Sequence, residues 1–410
     1  QRTGFQAPLL IGGATTSKAH TAVKIEQNYE GATVHVLDAS RAVGVVSALL
    51  DEERCEAFMA ETQAGYEAER ERRAAHTART ELLSIGDARA RSEELDWVSY
   101  HPPEPTQTGV HVFDIEIADL RVYIDWTPFF QAWELAGKYP AILDDGIVGE
   151  QARILLADAE SVLDRFVTEG RTRARAVVGF FPVNAVGDDV ELYTDDHRNE
   201  RRAVLHHLRQ QFRKEGRANR CLADFVAPTA SGKPDWVGGF AVTAGIGVEE
   251  MARELEEAGD DYNAILVKSV SDRLAEALAE FMHERVRREL WGYATEERLS
   301  NEDLVREAYL GIRPAPGYPA CPDHTEKRTL FELLDVENSI GVTLTESCAM
   351  TPTASVSGWY LSHPGAAYFG VGRIARDQVE DYAARKSWSV EEAEEWLAPS
   401  LAYDPEGDTP

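Results

Sequence analysis

The chain has 410 residues, of which 43% are hydrophobic and 28% are charged, and its formal net charge at pH 7 is −29. This length exceeds one ordinary hydrophobic core and predicts two or three units, while the hydrophobic content argues against global disorder. The negative charge argues against a nucleic-acid-binding surface, and no apolar run is long enough to span a bilayer. We therefore expect a soluble protein that has neither nucleic acid nor membrane as a partner.

The beginning of the chain and its cysteines indicate a compartment. The first eight residues contain no apolar core before a small-residue cleavage site, so they do not form a signal peptide. The four cysteines are sparse and have no paired spacing. This usage is typical of a reducing cytoplasm rather than of a disulfide scaffold, so we expect a cytoplasmic protein.

The first fifty residues alternate between apolar strands and helices. Residues 8–13 are predicted to form a buried strand that ends in two glycines, and residues 18–28 a helical stretch. Residues 33–38 form a second apolar strand, and a helix is predicted to begin at Ser40. The order strand–helix–strand–helix predicts a parallel sheet with a right-handed crossover. Two such units are too few for a complete doubly wound domain, so we expect a partial α/β sheet.

A change in composition predicts a domain boundary. Residues 66–105 contain a charged helical stretch and then a proline-rich connector. We assign residues 1–75 to the first domain, residues 76–108 to a linker, and residues 109–410 to one large α+β domain.

The large domain contains one long predicted helix and several separated strands. The helix covers residues 261–291 and has a wide apolar face. Asp272, Glu276 and Glu280 recur every four residues along it and form a polar stripe. The predicted strands are residues 110–117, 176–182, 190–193, 236–242, 341–344 and 367–371.

The most unusual segment is residues 313–324, which contains four prolines and one glycine. Such a backbone is rigid and extended, and it can form neither a helix nor a central strand. Arg313 offers a two-pronged contact to a carboxylate, and Tyr318 suits a flat base. A structural proline-rich linker is the simpler interpretation of the composition alone. Cys321 and His324 have no second pair at a suitable spacing, so we expect no metal site.

A second candidate segment places an acidic residue beside aromatic residues. Asp125 immediately precedes Trp126, and two phenylalanines follow at positions 129 and 130. A carboxylate in this position could face a cation or an amine. A helix-capping aspartate beside an aromatic core explains the same residues equally well.

A third candidate segment contains the neighbouring aromatic residues Trp359 and Tyr360 on a predicted strand. Their side chains would point to opposite faces, so that one could pack inward while the other meets a ligand. The backbone there could also bond to the edge of an adenine. Ordinary half-buried strand aromatics are the simpler interpretation.

Five segments together resemble cobalamin-dependent methionine synthase, and they occur in the same order. They are residues 9–24, 125–130, 222–228, 313–324 and 356–360. The resemblance implies that the first 75 or so residues are the end of a flavodoxin-like, cobalamin-binding domain. The remaining residues then correspond to the activation domain, for which we expect an antiparallel sheet.

The resemblance also implies an activity. In that family, a methyl group passes from methyltetrahydrofolate to homocysteine through cobalamin, and occasional oxidation leaves an inactive cob(II)alamin. The activation domain then binds S-adenosylmethionine, a flavodoxin or related reductase supplies one electron, and the cobalt is remethylated. The implied protein is a methyltransferase of methionine biosynthesis whose cofactors are cobalamin and S-adenosylmethionine.

Matching the family's motifs to this sequence implies a set of S-adenosylmethionine contacts. Asp125 would hold the positive end of the ligand, and Arg313 would hold its carboxylate. The other implied contacts are Tyr368 and Phe369, with Tyr318 and Glu276 as supporting candidates at the same site.

The resemblance also implies contacts to cobalamin in the first domain. Gly12, Gly13 and Ala39 match positions that line the buried cobalamin tail, where small residues let a planar group approach the backbone. From residue types alone, the glycine pair is weak evidence, because it lacks the spacing of a dinucleotide fingerprint.

Several family features are missing from this sequence. The cobalt-ligating Asp-x-His-x-x-Gly motif does not occur, and neither do the folate and homocysteine domains with their zinc cysteines. We therefore expect a C-terminal fragment of a longer enzyme, which joins the other domains of that enzyme. The alternatives are a non-catalytic, cobalamin-associated binding module and, more weakly, a stand-alone S-adenosylmethionine enzyme.

The acidic charge bears on the expected reductase partner, because flavodoxins are usually acidic themselves. A local basic patch on this chain would have to form the contact with the flavodoxin. The candidates are residues 171–175 and the pair Arg201 and Arg202.

Overall fold

The computed structural model describes residues 7–12, 18, 21–29, 31–36, 39–51, 54–78 and 81–405. The chain divides into two compact units, residues 1–81 and residues 82–410. Among the described residues, no helix is both long enough and apolar enough to cross a membrane.

The first unit contains a parallel pair of strands, β1 (Leu9–Gly12) and β2 (Thr33–Val36). A π-helical turn (Thr21–Ile25) and a 3₁₀ turn (Glu26–Asn28) lie between them, where a helical stretch is predicted. The helices Ala39–Leu50 and Cys55–Ala78 follow β2. The backbone N–H of His35 in β2 donates to the hydroxyl of the buried Tyr66, at 2.7 Å. This hydrogen bond ties the second helix to the sheet. The parallel pairing agrees with the partial α/β prediction.

The second unit is organised around a six-stranded sheet in which every described pairing is antiparallel. The predicted antiparallel sheet is therefore confirmed. Its strand order is β10–β7–β4–β5–β6, and β3 pairs with the first half of β4. The bounds are β3 Gly109–Ile115, β4 Arg173–Val186, β5 Asp189–Tyr193, β6 Arg201–His206, β7 Asp235–Ile246 and β10 Ser355–Tyr360. A separate hairpin consists of β8 (Thr343–Leu344) and β9 (Met350–Thr351).

Five of the six predicted strands overlap observed ones, and the prediction for residues 367–371 is wrong. These residues form no strand. The N–H of Val371 donates instead to the carbonyl of Pro319 at 2.8 Å, in the proline-rich segment. Gly372, directly after this run, has a φ of +74°, so the backbone turns where an extended strand would continue.

The long helix covers Asp261–Arg285 and continues as a π-helical turn, Val286–Leu290, which matches the predicted residues 261–291. This helix and the helices Gly149–Glu169 and Val248–Glu257 form a layer on one face of the sheet. The remaining α-helices of the second unit are Ile85–Arg89, Ile117–Leu120, Thr127–Ala132, Asn301–Val305, Glu326–Leu334, Val336–Ile340, Arg376–Lys386 and Val390–Leu397.

Side chains of the sheet alternate between two hydrophobic cores, one on each face. In β4, Phe180 packs into the core under the long helix, and Phe181 packs into the core on the opposite face. In β10, Tyr360 packs into the core under the long helix, and Trp359 packs into the core on the opposite face. Both side chains are fully buried. Because both aromatic side chains of β10 belong to cores, neither is the ligand-facing residue that the strand pattern allowed.

The residues predicted to form a linker pack into the second unit from Leu82 onward. The guanidinium of Arg89 pairs with Asp188 at 2.8 Å and with Asp381 at 2.6 Å. Lys233 Nζ donates to the backbone carbonyls of Val98 and Tyr100. The connector itself is held where Trp291 Nε1 donates to the carbonyl of Pro103 at 2.8 Å.

A buried ion-pair cluster joins the turn between β4 and β5 to the segment that precedes β7. The guanidinium of Arg209 donates to Asp224 at 2.6 and 2.8 Å and to Asp188 at 2.8 Å. Its remaining hydrogen bond, at 2.7 Å, goes to the carbonyl of Asn219. All three charged side chains are at least 93% buried.

Asp235, at the start of β7, is expected to make stability depend on pH. Burial raises the pKa of its carboxyl to about 7, although the N–H groups of Ala227 and Trp236 donate to it. A carboxyl with a raised pKa stabilises the fold below its unfolded pKa of about 4, and this contribution is lost as the pH rises to 7.

The difference in unfolding free energy between the wild type and Asp235→Asn isolates this carboxyl. We expect this difference to change by up to about 1.4 kcal/mol per pH unit between pH 4 and 7. The wild type becomes less stable relative to the variant as the pH rises. Urea unfolding at pH 5, 6 and 7 measures it. A difference that stays constant over this range would contradict the expectation.

Candidate ligand-binding site

A cavity of about 320 Å³ lies beside the long helix of the second unit. Its walls come from the start of the helix Thr127–Ala132, the long helix, the helix Asn301–Val305 and the loop that follows it. The lining residues are Tyr123, Asp125, Pro128, Arg273, Glu276, Ala277, Glu280, Asn301, Leu304, Val305, Glu307, Tyr309 and Arg313.

Helical spacing explains why one wall of the cavity is polar. Arg273, Glu276, Ala277 and Glu280 follow one another at intervals of three, one and three residues, which places them on one face of the long helix. Two members of the predicted polar stripe, Glu276 and Glu280, therefore face the cavity.

Arg313 is held in the cavity wall by two hydrogen bonds. Its Nη2 donates to Glu280 Oε2 at 2.8 Å, and its backbone N–H donates to the hydroxyl of Tyr368 at 3.0 Å. Burial alone would lower the pKa of Arg313, but the carboxylate of Glu280 raises it above its ordinary value. The guanidinium therefore remains charged at any physiological pH.

Asp125 lies on the wall formed by the turn before the helix Thr127–Ala132. Its Oδ1 accepts a hydrogen bond from the N–H of Thr127 at 2.9 Å, which fixes the carboxylate at the cavity rim. The aromatic residues beside it, Trp126, Phe129 and Phe130, are buried in the hydrophobic core. The N-cap of the helix is Trp126, so Asp125 is not the capping residue, and the interpretation that the structure favours is a carboxylate that faces a cavity.

The other predicted contacts lie outside the set of residues that line the cavity. Tyr368 lies behind the wall, where its hydroxyl is 3.0 Å from that of Tyr309. Phe369 packs against Phe225, with ring centroids 6.2 Å apart, in the opposite core. Tyr318 is 59% exposed, at the tip of the proline-rich segment.

The proline-rich segment is not a linker, because its first residues pair with the end of β10 at the outer edge of the sheet. Ile312 and Leu361 exchange two backbone hydrogen bonds of 3.0 Å. The carbonyl of Pro314 accepts a third from the N–H of Trp359, at 2.8 Å. This pairing fixes the position of Arg313 relative to the sheet.

Negative charge predominates in the cavity. Four of the lining residues are carboxylates and two are guanidiniums. One of the carboxylates, Glu307, has a pKa raised by burial, while the neighbouring Arg313 lowers it. The arrangement suits a ligand that carries one carboxylate and more than one positive charge.

Several lining residues were missed by the interpretation of the sequence. Glu307 and Tyr309 lie in an irregular loop after the short helix Asn301–Val305, so no periodic pattern marks them. Their closeness in the chain to Arg313 was the available signal. Arg273 could have been found from its position one turn before Glu276.

The predicted cobalamin contacts are only partly described. Gly12 is the last residue of β1, and Ala39 is the first residue of the helix Ala39–Leu50. Gly13 and the side chain of Ala39 lie outside the described part of the structure.

No group of three or more metal-ligating side chains occurs among the described residues. Cys321 is buried, and the Nδ1 of His324 lies 3.2 Å from Lys327 Nζ. An ammonium group in that position competes with a metal ion for the ring nitrogen.

Acidic residues neutralise much of the predicted basic patches. Arg171 makes two hydrogen bonds to Glu254, of 2.7 and 2.8 Å. Arg175 pairs with Asp114 at 2.9 Å. In the second patch, Arg201 pairs with a carboxylate of β5, Glu191, at 2.8 Å.

Two comparisons identify similar proteins. A family model described as the activation domain of vitamin B12-dependent methionine synthase matches residues 116–387, a range that contains every residue lining the cavity. The chain is also similar to a solved structure described as the MetH reactivation domain bound to AdoHcy. The sequence identity is 56% and the TM-score is 0.78, and the match covers 79% of this chain and 100% of the other.

Proposed function

This chain belongs to the family of activation domains of vitamin B12-dependent methionine synthase, and on that premise we propose that it binds S-adenosylmethionine in the cavity at Arg313 for the reductive remethylation of cobalamin. The observation that carries the proposal is the convergence of Asp125, Glu276 and Arg313 on one cavity. The similar domain with bound AdoHcy supports it, because AdoHcy is S-adenosylmethionine without the transferred methyl group.

Charge determines how the ligand would lie. Its carboxylate would pair with Arg313, whose Nη1 makes no hydrogen bond among the described residues. Its amino group and sulfonium would face the carboxylates of Asp125, Glu276 and Glu307. Leu304, Val305 and Pro128 offer apolar surface for the remaining part of the ligand.

The protein's contribution is to position the methyl donor, since cobalamin, when bound, supplies the methyl-accepting chemistry. Tyr368 supports Arg313 from behind the wall, and we propose the exposed Tyr318 as a contact that closes over the ligand. Phe369 packs in the opposite core, so its proposed contribution is to fix the position of Tyr368.

We further propose that the parallel pair in residues 1–75 is the end of a flavodoxin-like cobalamin-binding domain, with Gly12, Gly13 and Ala39 near the cofactor. The βα order and the parallel pairing of β1 with β2 support this assignment. A cytoplasmic location and a flavodoxin-type reductase as electron donor are part of the same proposal.

Titration calorimetry with S-adenosylmethionine tests the binding site. The wild type is expected to bind, and Asp125→Asn is expected to bind about five- to tenfold more weakly, because the amide keeps an acceptor oxygen and only the negative charge is lost. Asp195→Asn is the matched control. Asp195 makes the same 2.9 Å hydrogen bond to the N–H two residues ahead, but it lies outside the cavity. The proposal would be overturned if Asp125→Asn and Asp195→Asn bound S-adenosylmethionine with equal affinity, or if the wild type did not bind it.

A further inference from the structure

A second arginine, Arg287, lies behind the cavity wall and touches the groups that hold Arg313. It belongs to the π-helical turn Val286–Leu290, and its side chain is fully buried. Its Nε donates to Glu297 Oε2 at 2.7 Å. A buried guanidinium costs stability unless it is paired, so a packing role would be served better by an apolar side chain.

Arg287 contacts one support of Arg313, Glu280, directly and reaches the other, Tyr368, through Tyr309. On one side its Nη1 lies 3.9 Å from Glu280 Oε1, while the other oxygen of Glu280 accepts from Arg313. On the other side its guanidinium stacks on the ring of Tyr309, 4.6 Å from the centroid. The Tyr309 hydroxyl contacts Tyr368, which accepts the backbone N–H of Arg313.

Glu280 therefore has two ion-pair partners: a hydrogen bond joins it to Arg313, and a longer contact joins its Oε1 to Arg287 Nη1, where neither atom has a hydrogen-bond partner. Without Arg287, Arg313 would be the one ion-pair partner left to Glu280 among the described residues. The guanidinium of Arg313 would then satisfy both oxygens, because an arginine and a carboxylate favour two parallel hydrogen bonds. That rearrangement would turn Arg313 away from a ligand carboxylate.

We propose that Arg287 is a positioning residue, which shares Glu280 so that one edge of Arg313 remains available to the carboxylate of the ligand. This inference rests on the proposed function. It explains why a charged side chain is retained in the core beside the cavity. On this proposal, the side chains of Arg287, Glu280 and Arg313 together recognise the carboxylate of the ligand and not the rest of it.

Two ligands that differ only in the carboxylate test this role. Calorimetry compares S-adenosylmethionine with decarboxylated S-adenosylmethionine, which keeps the sulfonium and the amine. In Arg287→Met, the affinity for S-adenosylmethionine is expected to fall about tenfold, while the affinity for the decarboxylated compound changes less than about twofold. Arg285→Met, on the same helix but paired with Glu289, is expected to bind both ligands like the wild type.

Two further variants separate positioning from damage to the fold. If Arg287→Met does not fold, Arg287→Lys decides, because a lysine cannot reach Glu297, Glu280 and Tyr309 together. We expect Arg287→Lys to lower the affinity for S-adenosylmethionine selectively, as Arg287→Met does, but by a smaller factor. In a Glu280→Gln background, Arg287→Met should have less than about a twofold effect on either ligand.

Equal weakening of both ligands, or no weakening of S-adenosylmethionine, would overturn the inference about Arg287 and leave the binding site intact. Failure of the wild type to bind S-adenosylmethionine would instead overturn the proposed function, together with the inference that rests on it.

Discussion

Replacing Arg313 by alanine is expected to lower the affinity for S-adenosylmethionine by about 10- to 100-fold, because a charge-assisted hydrogen bond contributes about 1.5–3 kcal/mol. Arg313 is the guanidinium nearest the proposed position of the ligand carboxylate. The substitution also leaves the buried Glu280 without its 2.8 Å partner. We therefore expect a loss of stability in the same variant.

Calorimetry on variants that are shown to be folded by circular dichroism measures this effect. Arg313→Lys is expected to recover only part of the affinity, because an ammonium offers one point charge in place of a planar fork. Arg306→Ala is the matched control, since Arg306 is exposed and pairs with Glu302 on the same helical turn. Unchanged affinity in folded Arg313→Ala would exclude the cavity as the carboxylate site.

Replacing Arg209 by methionine is expected to lower the unfolding free energy of the second unit by about 3–5 kcal/mol. The methionine fills much of the same volume, but it leaves Asp188 and Asp224 buried beside each other without the guanidinium that pairs them. Arg89 compensates Asp188 only in part, because it is itself shared with Asp381.

Urea unfolding followed by tryptophan fluorescence reports on this unit alone, because all eight tryptophans lie beyond residue 82. Arg201→Met provides the comparison. The Arg201 side chain is 59% exposed where it pairs with Glu191, and ion pairs with an exposed partner typically contribute less than about 1 kcal/mol. If both variants lost equally little stability, the buried cluster would not have the energetic role inferred from its burial.

The parts of the fold that could be predicted are those whose signal is local. The long helix was evident from its wide apolar face, and β4 and β7 from runs of apolar residues that are buried on both faces of the sheet. β6 could not be found in this way, because it begins with two arginines at the edge of the sheet. Residues 367–371 show the opposite error, in which an apolar run is anchored by a distant loop.

The candidate site could likewise be predicted only where the signal lies in a short segment of the sequence. Asp125, Glu276 and Arg313 were selected because they matched motifs of a family, and they meet in one cavity although nearly 190 residues separate the first from the last. The sequence could not reveal that Arg313 shares Glu280 with Arg287, because that contact depends on how a π-helical turn packs. It could not separate Tyr368 from Phe369 either, since neighbouring side chains on an irregular loop have no fixed relation to a wall.

The backbone pairing between residues 312–314 and β10 has a consequence for the behaviour of the chain in solution. An uncovered edge strand is a template on which a second molecule can add its own strand, and this is a common route to aggregation. Here the end of the edge, at Trp359 and Leu361, is covered by a segment whose prolines have no N–H to offer an incoming strand. The residues that position Arg313 therefore also protect this part of the edge from self-association. A substitution that loosens this segment should cost solubility as well as ligand binding.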